Sequence, residues 1–174
     1  MARRSRRGRV VMARGWMAET GVDVAAYLPD TMVAPLADAV ERETRLVRVV
    51  REEAAVGVLA GAWIGGSDGV LICQSSGLAN CFNALASLSV PARLPFLAVV
   101  TRRGDLGEFN LAQVPGGYNM PDLLDDVGVR NRVVEDPDRV AETVRMAGET
   151  AFSTRTPYVV LLDSTVTGYK EESE

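Results

Sequence analysis

Two glutamates, Glu52 and Glu53, head the run REEAAVGVLAGAW (Arg51–Trp63). The residues beyond them are apolar nearly all round: Ala54, Ala55, Val56, Val58, Leu59, Ala60, Ala62 and Trp63. A helix of that composition is expected to be buried. A carboxylate at its head then faces desolvation, which favours the proton-bearing acid. A buried acid that shares a proton is a functional candidate. The competing reading is ordinary stabilisation of first-turn glutamates by the helix dipole. A second candidate is Gln74-Ser75-Ser76-Gly77-Leu78-Ala79-Asn80, which follows an apolar strand and opens a helix. Amides at such a turn suit a polar or anionic group, or simply cap the helix. Arg102 and Arg103 form a third. Their forks suit sulfonate or phosphonate oxygens, or pair with Asp105 and Glu108 nearby. Gly57, Gly61 and Gly65 recur every fourth residue. They fit neither phosphate-loop pattern and read as a helix packed closely on a neighbour.

Absences narrow the chemistry. Among 174 residues there is no histidine, so no imidazole-based triad or zinc site can form within the chain. Cys73 and Cys81 are too few for a metal cluster or a disulfide framework and read as small buried hydrophobes in a reducing compartment. The net charge of −4 argues against broad nucleic-acid binding. It hides an asymmetry, because five arginines lie within the first nine residues. Without them 14 basic side chains face 23 acidic ones. The arm reads as a basic docking segment or as a solvated, flexible one. No apolar run of signal-peptide length follows it, and no run reaches the ~18 residues of a membrane span. The expected address is the cytoplasm.

The elements that must position these residues alternate. Strands are expected at 25–29, 45–50, 69–73, 95–101, 132–135 and 157–163, with the first ended by Pro29. Asp30 and Thr31 are N-cap types before a helix carrying Met32, Leu36, Ala39 and Val40. Further helices are expected at 52–64, 78–88, 121–127 and 136–152. Residues 102–119 read as a long irregular loop, and the last eleven residues as a frayed polar end. The pattern predicts an α/β fold of three α/β/α layers around a six-stranded parallel sheet. Function is then expected at the carboxyl ends of the strands, where Pro29, Glu52 and Glu53, Gln74–Gly77 and Arg102–Asp105 fall. Residues 1–19 form the arm, 20–165 one domain and 166–174 the tail.

Three motifs in this order carry a family resemblance. REEAAVGVLAGAW is followed by GVLICQSSGLANCFNALASL and then by PFLAVVTRRGDLGEFNLAQVPGG. Together they resemble the pyrimidine-binding domain of thiamine-diphosphate enzymes. The likeness is to sulfopyruvate decarboxylase alpha subunits and the corresponding part of phosphonopyruvate decarboxylases. It spans roughly residues 20 to 165 and departs where such chains read QNSGLGN, having Ser75 and Ala79 instead.

The resemblance implies the thiamine-diphosphate-binding fold and a carboxy-lyase that converts a small anionic 2-oxo acid, 3-sulfopyruvate or 3-phosphonopyruvate, to an aldehyde and carbon dioxide. It places at Glu53 the glutamate that bonds a pyrimidine ring nitrogen and favours the imino form that removes the thiazolium proton. It leaves Glu52 as the solvated neighbour. Pro29, Gln74, Ser75, Ser76, Gly77 and Asn80 are then the candidate cofactor residues, and Arg102, Arg103 and Gln113 the candidate substrate or loop residues. The family's diphosphate and magnesium motif, GDG with a downstream asparagine, is not matched by Gly66-Ser67-Asp68-Gly69 or by Gly104-Asp105-Leu106. No metal ligand is therefore expected in this chain. A beta-type partner subunit is expected to hold Mg2+, in a hetero-oligomer. A non-catalytic assembly subunit of the same fold, or a carboligase, stays open.

Overall fold

Short runs rich in Val, Leu and Ile become six strands: β1 Val24–Tyr27, β2 Arg45–Arg48, β3 Gly69–Gln74, β4 Leu97–Thr101, β5 Arg130–Val134 and β6 Tyr158–Leu162. The computed structural model describes residues 20–30 and 33–168. All pairings are parallel, in the order β2-β1-β3-β4-β6-β5. Seven helices are labelled here: α1 Ala34–Val40, α2 Glu52–Ile64, α3 Ser75–Asn80, α4 Val114–Tyr118, α5 Met120–Asp126, α6 Val140–Thr154 and α7 Ser164–Thr167.

Alternation along the strands divides the core in two, because successive side chains leave opposite faces. Leu97 and Val99 join Val70, Ile72, Val160 and Leu162 under α1 and α6. Ala98 and Val100 join Leu71, Cys73, Val159 and Leu161 under α2, α3 and α5. Covered on both faces, the strands need no polar positions, which is why they read as continuous apolar runs. The expected three-layer fold is the one observed. Trp63 stacks on Phe152 at 6.2 Å, tying the ends of α2 and α6.

Several local expectations are corrected. α2 is not covered all round: Glu52, Ala55, Val56, Leu59 and Ala60 form its buried stripe, while Ile64 is 75% exposed. Nothing among the described residues lies within 4 Å of where a Cβ on Gly57 or Gly61 would stand. Among the described residues these glycines therefore serve no close packing; they face away from the sheet. α3 begins earlier than expected, at Ser75, and breaks at Cys81. It resumes at Phe82–Ala84 and ends in a π-type turn, Leu85–Ser89. The N-cap position of α1 is Val33 rather than Asp30, and Ala34 N–H donates to the Asp30 carbonyl at 2.9 Å.

The segment 102–119 is also more ordered than its glycines suggest. Asn110 accepts a hydrogen bond from Ala112 N–H at 3.1 Å and starts a 3-10 turn, Leu111–Gln113, that runs into α4. Towards the end of the chain Ser164–Thr167 is helical, capped by Asp163, with Val166 buried. The arginine arm, Thr31 and Met32, and residues 169–174 lie outside the described residues.

Candidate functional site

The chain winds outward from β1 to β2, then returns past β1 to β3. In an open parallel sheet such a reversal leaves a crevice at the carboxyl ends of the two central strands. α2 packs over β1 and β3 and starts at that end, so its first turn lies at the crevice. Arg51 is extended (φ −149°, ψ 140°), and the helix takes up immediately with Glu52 and Glu53.

The two carboxylates differ because neighbours on a helix are rotated by about 100°. Glu52 shares the inward stripe with Ala55, Val56 and Leu59 and is the buried one, at 7% exposure. This corrects the expectation that Glu52 is solvated. It lies against Gly77 of α3, and Asn80 Nδ2 donates to its Oε2 at 3.4 Å. A side chain at Gly77 would have to displace Glu52, whose Cδ would be 2.7 Å from the new Cβ. Glu53 is turned aside. Its Oε1 pairs with Arg51 Nε at 2.7 Å, and its Oε2 is buried without a hydrogen-bond partner.

Unpartnered buried polar atoms call for an explanation, since burial without a bond costs roughly 1–3 kcal/mol. Five such side-chain atoms occur among the described residues. Four belong to residues at or beside this end of the sheet: Glu53 Oε2, Gln74 Oε1, Thr101 Oγ1 and Gln113 Oε1. Gln74 and Thr101 are the last residues of β3 and β4, and α4, directly after Gln113, packs on α3. Three of the four are acceptor oxygens and the fourth is a hydroxyl, so donors on a polar ligand would satisfy the set, and the residues fit a group bound across this edge.

Other expected residues are engaged within the chain. Ser75 is fully buried and its Oγ accepts from Arg103 N–H at 3.1 Å, sewing the loop to α3. Ser76 is half-buried beside it, and Pro29 is exposed at the end of β1. Arg103 makes a two-bond fork with Glu108, at 2.6 and 2.7 Å. Arg102 pairs with Asp105 at 2.7 Å and with Asp163 at 3.6 Å. Each fork is thus met by carboxylates of the chain. A small cleft lies among Arg102, Arg103, Asp105, Glu108 and Ser164. Glu53 and Gln74 do not line it, so it belongs to this loop clasp rather than to the crevice.

Glu108 was legible as a countercharge to the arginines, whereas Asp163 was not, because it stands beyond a different strand, far along the chain. Its signal is the arginine pair alone, which demands countercharge. The Arg103 fork, with help from the Asn110 and Gly104 amides, holds the Glu108 carboxyl down at about 2 from a usual 4.5. The folded-state value is the lower one, so the carboxylate stabilises the fold above pH 4.5 and that contribution is lost as pH falls towards about 2. The expected result is a steep fall in stability over that window, followed by circular dichroism. Glu108→Gln should be less stable at neutral pH and lose that part of the acid dependence.

Both cysteines are buried free thiols. Burial first, then Glu52 and Glu53, pushes Cys81 up to about 12, and burial likewise raises Cys73. Neither is a nucleophile at neutral pH. Among the described residues, no cluster of three or more His, Cys, Asp or Glu could hold a metal. No helix there is long and apolar enough to cross a membrane.

Against known proteins, the chain is 33% identical over 150 residues to sulfopyruvate decarboxylase subunit alpha of Methanococcus maripaludis, covering 84% of this chain and 89% of that one. The chain belongs to the sulfopyruvate decarboxylase alpha-subunit family. The longer sulfopyruvate decarboxylase of Methanosarcina acetivorans is 31% identical over 86% of this chain, which spans only 38% of that protein. Phosphonopyruvate decarboxylase of Streptomyces hygroscopicus is 43% identical over 90 residues, 51% of this chain and 22% of that one. No family model matches the chain.

Solved structures agree on the fold of this alpha-subunit family. The 2-oxoglutarate:ferredoxin oxidoreductase of Magnetococcus marinus superposes with a TM-score of 0.74 at 20% identity, over 92% of this chain and 29% of its own. The thiamine diphosphate-dependent 4-hydroxybenzoylformate decarboxylase of Rhodococcus jostii RHA1 gives 0.70 at 14% identity, over 95% and 34%. The family member described here thus corresponds to about a third of each of those longer chains.

Proposed function

We propose that this chain is the pyrimidine-binding half of a thiamine-diphosphate-dependent decarboxylase acting on 3-sulfopyruvate or 3-phosphonopyruvate, with release of the aldehyde and carbon dioxide. The observation that carries the reading is Glu53 Oε2, buried and unpartnered at the head of α2, beside the crevice of β1 and β3. When bound, thiamine diphosphate supplies an ylid that stabilises a carbanion. Glu53 would hold and share a proton at Oε2 with the pyrimidine, while Oε1 stays on Arg51 and keeps the carboxyl oriented. Gln74, through its unpartnered Oε1, Ser76 and Pro29 would line the same end, with Gly77 and Asn80 shaping it through Glu52. Ser75 contributes by holding the loop, and Gln113 would face the substrate side.

A second polypeptide would hold the diphosphate and Mg2+. Supporting this are the designation of relatives as subunit alpha and the longer relative, of which this chain spans 38%. The forks of Arg102 and Arg103 are occupied, so the substrate's anionic end is assigned to that partner too. The free thiols fit a reducing cytoplasm.

The test is recovery of the tagged full chain from its own host, followed by assay with each acid, thiamine diphosphate and magnesium. A co-purifying chain with a GDG motif and carbon dioxide release from one of the two acids are expected. No release from either overturns the reading, and a carbon–carbon ligation product in place of the aldehyde overturns its decarboxylase outcome.

A further inference from the structure

Arg102, directly after β4, is 8% exposed. A guanidinium is rarely so buried unless its donors are met. Nη1 faces Asp105 at 2.7 Å and Asp163 at 3.6 Å. Nε donates to the Gly117 carbonyl at 3.4 Å and Nη2 to the Tyr118 carbonyl at 3.1 Å. The Tyr118 ring lies 5.6 Å from its central carbon. Every nitrogen of the group is engaged, and the partners come from three places: the loop, the end of β6 and the end of α4.

The two carbonyls are the last of α4, groups that a helix leaves without internal partners. A cation there also complements the helix dipole. At the other end of the same helix stands its N-cap residue, Gln113, whose Oε1 is buried and unpartnered. α4 spans only Val114–Tyr118, too short to hold its place by its own hydrogen bonds. Its pose is set from outside, by Arg102 and by the close seat of Gly117 on the Arg103 carbonyl.

We infer that Arg102 is a positioning residue: it anchors α4 to the ends of β4 and β6 and thereby holds the Gln113 amide in the site. The role of Gln113 rests on the proposed function; the anchoring of α4 does not. Arg102 acts through the helix and makes no contact with substrate.

Two measurements test this. In the full chain, amide exchange of residues 114–119 should speed up about ten-fold in Arg102→Met, with Arg102→Lys in between, because the anchored turn opens more often. In the purified complex, Arg102→Met and Gln113→Ala should each raise KM for the oxo acid about ten-fold while kcat stays within about three-fold. The double variant should be no worse than either single one, since both remove one contact. Should Arg102→Met fail to fold, Arg102→Lys carries both tests at about three-fold amplitude. Unchanged exchange, or KM effects that multiply in the double variant, overturns the inference. A complex without decarboxylase activity overturns the proposed function instead, and the exchange result still decides whether Arg102 anchors α4.

Discussion

Glu53→Gln is expected to lower kcat of the assembled enzyme by roughly 10³-fold, within the range for losing a proton-transfer group and equal to about 4 kcal/mol of barrier. The amide keeps the shape of the acid and can still meet Arg51 through its oxygen, so the fold should be unchanged. What it cannot do is take up and return a proton at the position of Oε2, the buried atom without a partner. Affinity for thiamine diphosphate, measured by calorimetry on the complex, should change by less than about ten-fold. Glu52→Gln is the informative companion. Glu52 Oε2 already accepts from Asn80 and its carboxyl packs against Gly77, so this variant should lose thermal stability and keep most of its turnover. Near-normal turnover in Glu53→Gln, or a dead Glu52→Gln in a stable complex, would refute the assignment of the proton-sharing role.

The second large effect is expected at Gly117. A Cβ there would land on the carbonyl of Arg103 and stand 3.1 Å from the Gly104 nitrogen. Both obstacles are backbone, so no rotamer change relieves them. α4 would have to back away, and with it the carbonyls that Arg102 holds. Gly117→Ala should cost about 2–3 kcal/mol, at the upper end of the overpacking range. For a domain of this size that is a fall in Tm of roughly 5–10 °C. Its neighbour is the control. Nothing lies within 4 Å of a Cβ on Gly116, and its backbone is helical. Gly116→Ala should therefore leave stability unchanged or raise it by about 0.5–1 kcal/mol through helix propensity. Thermal unfolding of the two variants side by side decides the matter; equal midpoints would mean that the close seat on Arg103 does not hold.

How far the chain could be read before folding depends on the range of each interaction. β3 and β4 were legible because two buried faces impose an unbroken apolar run. The start of α2 was legible because acid residues precede a long apolar helix. α4 was not: Gly116 and Gly117 look like helix breakers, and the seat that requires Gly117 is a carbonyl fourteen residues earlier, at Arg103. The uncovered face of α2 was misread for a related reason. An apolar surface signals burial, but not whether the covering partner belongs to the same chain.

By itself the sequence determined the parallel three-layer architecture, the absence of imidazole chemistry, the family, and the strand ends where function is sought. These follow from composition and short-range periodicity, which a linear reading contains. Only the tertiary structure decided which of two adjacent glutamates is buried, where Arg102 and Arg103 spend their charge, and which polar atoms stay unpartnered. Those depend on helix rotation and on contacts across the sheet, where a turn of 100° per residue or one missing Cβ changes the partner altogether.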